Sequence, residues 1–165
     1  MVIWIIGLSG SGKTFYSEKI CKILSKKKKV IHIDGDEVRK YINYNLKYTK
    51  KDRKKNSLII RNFCNFLEKK EYIVICSILS IFRDHQKGNR KLFKKYFQIH
   101  IKSEISMIKN RNKKKIYSKK NVVGKSITFP TPYKSDITIV NNFDNNYKKN
   151  IKLIIKKING KLKGK

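Results

Sequence analysis

Gly7-Leu-Ser-Gly-Ser-Gly-Lys-Thr14 lies between a short apolar run, Val2-Ile-Trp-Ile-Ile6, and the segment from Phe15 to Ser25, which reads as a helix. Glycine, four variable residues, glycine, lysine and a hydroxyl residue, set between a strand and a helix, form the pattern that wraps a polyphosphate. Gly7, Gly10 and Gly12 admit backbone conformations closed to other residues, so successive amides can turn inward. The start of the helix adds positive potential at the same point. Lys13 is placed to reach the β and γ phosphates of a bound nucleotide, and the Thr14 hydroxyl to take one position on Mg²⁺. The competing reading is a glycine-rich turn that binds nothing.

Outward from this loop, strand-like and helix-like segments alternate. Val30-Ile-His-Ile33 reads as a second strand, Asp36 to Tyr44 as a short helix, and Lys51 to Lys70 as a longer one with apolar residues Leu58, Ile59, Phe63, Phe66 and Leu67 at helical spacing. Tyr72-Ile-Val-Ile-Cys76 is a near-continuous apolar run, suited to a strand buried on both faces of a parallel sheet. Arg83 to Tyr96 reads as a helix, Phe97-Gln-Ile-His-Ile101 as a strand, Ser103 to Arg111 as a short helix, Ile137-Thr-Ile-Val140 as a fifth strand and Tyr147 to Ile158 as a closing helix. The expected fold is α/β: a doubly wound, five-stranded parallel sheet with helices on both faces and ligands outside the carboxyl ends of the strands. The basic stretch from Asn112 to Ser135 holds both prolines, Pro130 and Pro132, and lacks periodicity, which marks it as a lid segment. Asn159 to Lys165 is expected to fray. At 165 residues the chain is expected to form one domain, 1–165.

Forty-two Lys and Arg against eleven Asp and Glu leave a formal charge of +31. This raises a basic nucleic-acid-binding protein as a rival function. The lysines are spread over every segment, however, and the chain is also rich in Ile and Asn, the usage of an AT-rich coding sequence. Solvated faces with a general attraction for anionic nucleotides explain the charge better than a dedicated surface, and no specific nucleic-acid partner is expected. The chain opens on a strand with no charged leader or long apolar segment, which predicts a cytoplasmic protein without membrane insertion. Cys21, Cys64 and Cys76 form no Cys-x-x-Cys pair and read as small core residues.

Because acidic residues are scarce, three within Asp34 to Glu37 stand out. Asp36 is placed to accept the proton of an acceptor hydroxyl, and Asp34 to hold Mg²⁺ directly or through water; the alternative is that the aspartates only cap the following helix. Three loops therefore converge at the strand ends: Gly7 to Thr14, Asp34-Gly-Asp36 and Ser77 to Arg83.

Gly7 to Thr14, Asp34-Gly-Asp-x-x-Arg39, and Tyr48-Thr-x-x-Asp52-Arg53-x-x-Asn56 together resemble the adenylylsulfate kinases, P-loop kinases that phosphorylate the 3′-hydroxyl of adenylylsulfate with MgATP. Ser77-Ile-Leu-Ser80, Arg83, Arg90 and Arg111-Asn-Lys-Lys114-Lys-Ile-Tyr117 continue the likeness, which runs from about Val2 to Ile139. The resemblance implies that Gly7, Ser9, Gly10, Ser11, Gly12, Lys13 and Thr14 bind ATP, with Arg111 and Lys114 reaching in from the lid. It implies that Arg39, Arg53 and Asn56, beside Asp34, hold the acceptor nucleotide, and that Tyr48 and Phe129 sandwich its base. Lys13, Asp36 and Ser80 become the catalytic candidates, Ser80 because it matches a serine that carries phosphate in the family; a polar strand-end residue is the other reading of Ser80. Guanidinium forks suit phosphate or sulfate, and flat rings grip a base. The chain departs from the family at Lys55, Leu58, Ile59 and Ile81, and most of all in the lid, where Phe129-Pro-Thr-Pro-Tyr133 replaces a longer pattern. The altered lid keeps open a second acceptor, that of the cytidine diphosphoramidate kinase of capsule biosynthesis. ATP and an acceptor nucleotide are the expected partners, Mg²⁺ the expected cofactor, and a homodimer the assembly considered.

Overall fold

The computed structural model describes residues 1–42, 44–111 and 122–164. Five parallel strands, β1 (Val2–Ile6), β2 (Val30–Asp34), β3 (Ile73–Ile78), β4 (Tyr96–Lys102) and β5 (Ile137–Val140), lie side by side in the order β2-β3-β1-β4-β5. This is the expected doubly wound α/β sheet. The central strand β1 has no exposed residue, in keeping with its unbroken apolar sequence.

Alternation along the strands divides the core in two. Ile3 and Ile5 of β1, with Ile73 and Ile75 of β3 and Phe97, Ile99 and Ile101 of β4, face helix α1 (Lys13–Leu24) and helix α6 (Tyr147–Lys163). Val2, Trp4 and Ile6, with Val74, Cys76 and Ile78, face helix α3 (Lys50–Lys69), which buries Ile60, Cys64 and Leu67 at helical spacing, while Ile59, Phe63 and Phe66, expected on the buried face, are exposed because the helix turns the adjacent stripe to the sheet. Thr49 caps α3 by accepting from the Asp52 amide at 3.1 Å. The shorter helices α2 (Gly35–Tyr41), α4 (Arg83–Leu92) and α5 (Ile105–Arg111) follow β2, β3 and β4.

Several boundaries move for identifiable reasons. Helix α4 stops at Leu92 instead of Tyr96, because the Glu68 carboxylate accepts from the Lys94 and Lys95 amides at 3.0 Å each, and Phe93 and Tyr96 turn into the core. Helix α6 runs on through Lys163: Ile158 is buried, Leu162 packs against the core, and the Lys95 ammonium donates to the Leu162 and Gly164 carbonyls, so Asn159 to Lys163 is helical where fraying was expected. Helix α5 begins two residues later than expected, since Ser103 is engaged elsewhere, as described below. Cys64 and Cys76 lie buried in the core and Cys21 is half-buried, all three as free thiols.

Candidate active site

Strand β1 delivers the chain into the loop 7–12 between β4 and the start of α1. Gly7 passes so close to β4 that a Cβ would lie 2.3 Å from the Ile101 carbonyl oxygen. Gly12 caps α1 in the left-handed region, φ 99°, with the Asn141 side chain where a Cβ would go. The loop is braced from behind: the Asn141 Nδ2 donates to the Ser11 carbonyl at 2.8 Å, and the Ser103 hydroxyl lies 2.9 Å from the Asn141 carbonyl and 3.3 Å from that of Ser11. Ser11 is fully buried, its amide donating to the Leu8 carbonyl and its hydroxyl without a hydrogen-bond partner. Lys13 arches over the loop, its Nζ donating to the Leu8 carbonyl at 2.8 Å. Asn141 and Ser103, polar residues directly after β5 and β4, carry no motif, and only their strand-end positions hint at this work.

Parallel pairing of β2 with β3 sets Asp34 opposite Ser77. Three donors converge on the Asp34 carboxylate: the Asp36 amide to Oδ1 at 2.8 Å, and the hydroxyls of Thr14 and Ser77 to Oδ2 at 3.0 Å each. Burial alone raises this carboxyl, but the hydrogen bonds from Asp36, Ser77 and Thr14, with the nearby His32, more than offset it and hold it below the usual range. Asp34 is therefore the cap of α2, whereas Asp36 lies in the first turn with an exposed side chain and caps nothing. The two aspartates, either of which the sequence allowed as a helix cap, have different surroundings.

Near Asp36, Arg39, Tyr48 and Arg53 gather. The guanidinium carbons of Arg39 and Arg53 lie 4.9 and 5.3 Å from the Tyr48 ring centre, and Arg53 Nε donates to the Tyr48 carbonyl at 3.0 Å. Arg39 is buried and its Nη1 donates to the Leu46 and Lys47 carbonyls, so it fastens the connection between α2 and α3 that carries Tyr48. Burial and the neighbouring Arg39 cation pull the Arg53 guanidinium down from its ordinary value, with Asp36 opposing them. Asn56 is buried in α3 one turn further on.

Phe129 stacks on His100 at 5.8 Å and packs with Ile81, Phe82 and Val123, so its partner here is β4. The described part of the lid segment is ordered: Val122 to Ile127 closes a tight turn whose Gly124 approaches Leu8 of the phosphate loop. The segment is then tied down by Gln86 accepting from the Tyr133 amide, and by Arg90, which pairs with Asp136 at 2.9 Å. Arg90 is thus a structural residue, and Arg83 is exposed at the start of α4. Ser80 adopts φ 34° with its hydroxyl buried and unpartnered, while its carbonyl accepts from Gln86. Arg111 lies 4.4 Å over the Phe143 ring, in the connection after β5. Lys114 falls outside the described residues.

The constellation therefore joins a phosphate loop, a hydroxyl–carboxylate pair, a separate exposed carboxylate and a cation–aromatic cluster. Comparison with known proteins agrees with it. The family described as adenylylsulphate kinase matches residues 1–140. A cytidine diphosphoramidate kinase of Campylobacter jejuni is 34% identical over 151 residues, covering 87% of this chain and 88% of that protein. An adenylyl-sulfate kinase of Clostridium kluyveri is 31% identical over 152 residues, covering 87% and 76%. Among solved structures, the Mycobacterium tuberculosis APS kinase in complex with AMPPNP and APS superposes with a TM-score of 0.85 at 21% identity, covering 94% of this chain and 95% of that one, a likeness of fold.

Proposed function

The chain belongs to the adenylylsulphate kinase family, and from that premise we propose that it transfers the γ-phosphoryl group of ATP to the 3′-hydroxyl of a nucleotide, adenylylsulfate, giving 3′-phosphoadenylylsulfate and ADP. The observation that carries the reading is the meeting at Asp34 of the phosphate loop, through Thr14, with the ends of β2 and β3.

The oxygen of the acceptor 3′-hydroxyl bonds to the γ-phosphorus as the bond from phosphorus to the β–γ bridging oxygen breaks. The hydroxyl proton passes to the Asp36 carboxylate and the electron pair leaves with ADP. Lys13 and the loop amides balance charge on the moving group, and the protein's work is positioning and electrostatics. Arg53 and Tyr48 hold the acceptor on the side of Asp36, with Arg39 fixing the backbone that presents Tyr48. Arg111 and Lys114 attend the ATP.

The Thr14 hydroxyl and the Asp34 carboxylate, hard oxygen donors hydrogen-bonded to each other at 3.0 Å beside the phosphate loop, fit Mg²⁺. Among the described residues no three His, Cys, Asp or Glu side chains cluster as a metal cage, so these two would hold the ion together with phosphate and water oxygens. Held there, Mg²⁺ would supply positive charge to offset the negative charge of the phosphates. Three of the four acceptor positions of the Asp34 carboxylate are taken by Asp36, Thr14 and Ser77, which favours contact through water or by the remaining position on Oδ1.

A second acceptor, cytidine diphosphoramidate, is favoured by the near full-length match to the Campylobacter jejuni enzyme and by the altered lid around Phe129. ADP formation measured with adenylylsulfate, cytidine diphosphoramidate and plain adenine and cytosine nucleotides decides between them. Turnover with adenylylsulfate supports the first acceptor, turnover with cytidine diphosphoramidate alone replaces it, and turnover with none rejects nucleotide 3′-phosphorylation. The location proposed is cytoplasmic; no helix among the described residues is long and apolar enough to cross a membrane.

A further inference from the structure

The hydrogen bonds at Asp34 continue beyond the three donors. His32, half-buried on β2 two residues before Asp34, places its Nε2 3.2 Å from the Ser77 hydroxyl oxygen, which in turn lies 3.0 Å from Asp34 Oδ2. Ser77 is 2% exposed, so it has little water to turn to.

A serine hydroxyl carries one proton and two acceptor lone pairs. Two neighbours compete for that proton. An ionised carboxylate is acceptor-only and makes the stronger, charge-assisted bond, so the Ser77 proton goes to Asp34. The contact with His32 is then a hydrogen bond only if the imidazole nitrogen facing Ser77 carries a proton and donates. With the other tautomer, Nε2 would present a lone pair, draw the Ser77 proton away from Asp34, and leave the carboxylate freer to rotate about its Cβ–Cγ bond.

We infer that His32 and Ser77 are positioning residues for Asp34: His32, as the tautomer protonated on Nε2, orients the Ser77 hydroxyl, and Ser77 fixes the carboxylate oxygen that faces Thr14. The inference rests on the proposed role of Asp34 toward the metal. Groups that orient a metal-binding carboxylate in this way typically change metal affinity or activity by roughly 10–100-fold when removed.

The hydrogen-bond chain is tested first without any metal. In protein labelled with ¹⁵N-histidine, long-range ¹H–¹⁵N correlation at alkaline pH distinguishes the two neutral tautomers, and the resonances of His32 among the three histidines are identified by their loss in His32→Gln. A protonated Nε2 is expected, and a protonated Nδ1 would overturn the inference whatever Asp34 does. The second arm measures Mn²⁺ affinity in the presence of ADP by electron paramagnetic resonance, alongside turnover. Ser77→Ala and His32→Asn should each weaken Mn²⁺ binding about 10-fold, while His32→Gln, whose amide N–H reaches the place of Nε2, should stay within about 2-fold of wild type. Melting curves confirm that each variant is folded. Wild-type Mn²⁺ affinity in Ser77→Ala, with Asp34→Asn impaired, refutes the positioning role and spares the reading of Asp34. Wild-type affinity in Asp34→Asn as well removes the metal-holding role, and the inference with it.

Discussion

Asp36→Asn separates chemistry from architecture, because the structure assigns the capping of α2 to Asp34 and leaves the Asp36 carboxylate exposed in the first turn. The Asp36 backbone amide, which makes the capping bond, is retained in the variant. What stability loses is one negative charge near a helix N-terminus, about 0.3–1 kcal/mol, and its attraction to Arg53 across a partly exposed gap, within about 1 kcal/mol. Together these reach at most about 2 kcal/mol, and at roughly 2–4 °C per kcal/mol for a chain of this size the melting temperature falls by no more than about 8 °C, which leaves the protein folded at room temperature. If Asp36 accepts the acceptor's proton, turnover should fall by about 10²–10⁴-fold. The assay is ADP release under saturating ATP and acceptor, with ATP affinity from calorimetry and a melting curve on the same sample. The expected result is an inactive protein that binds ATP almost normally and melts no more than about 8 °C below wild type. Turnover near wild type would exclude Asp36 from proton transfer, and a large fall in melting temperature with proportionate loss of activity would make it structural.

Other perturbations probe the remaining parts. Lys13→Ala removes a cation that bridges the loop at Leu8 and should lower turnover by about 10²-fold or more with little change in melting temperature; near-normal turnover would sink the phosphate-loop assignment. The Asp34 carboxyl titrates below its ordinary value of 3.8. Its contribution to stability is therefore complete above that pH and lost as pH falls through the lower folded value, so Asp34→Asn should flatten the acid limb of a urea-denaturation series below about pH 4. Ile60→Ala, at a fully buried position of α3 facing Trp4 and Ile6, should cost about 2–5 kcal/mol in the same denaturation assay. If the +31 charge is spread over solvated faces, binding to single- or double-stranded nucleic acid should be indifferent to sequence and fade between about 50 and 200 mM salt. Tight binding to one sequence at physiological salt would establish a second role.

What the sequence by itself determined is local or periodic. The phosphate loop is legible because its function constrains consecutive residues, with glycines where the backbone turns and a lysine and threonine where the helix starts. The strands are legible because burial imposes a pattern on neighbours along the chain, whereas α3 is legible as a helix but not in its buried face: of the apolar residues expected there only Leu67 is buried, and Ile60 and Cys64 take the core positions. The Asp34-Gly-Asp36 turn stands out because carboxylates are rare in so basic a chain. Spacing alone could not say which aspartate caps α2, that Arg39 donates to the Leu46 and Lys47 carbonyls, or that α6 continues to Lys163. It also could not give Ser77 and His32 a place beside Asp34, or Asn141 and Ser103 a place behind the phosphate loop. Thr14 and Asp34 are 20 residues apart, Asp34 and Ser77 43, and Ser11 and Asn141 130. Such pairs meet only because parallel strands adopt one order and one register, and that register is selected by the packing of two apolar faces at once, which leaves no pattern in the residues near either partner.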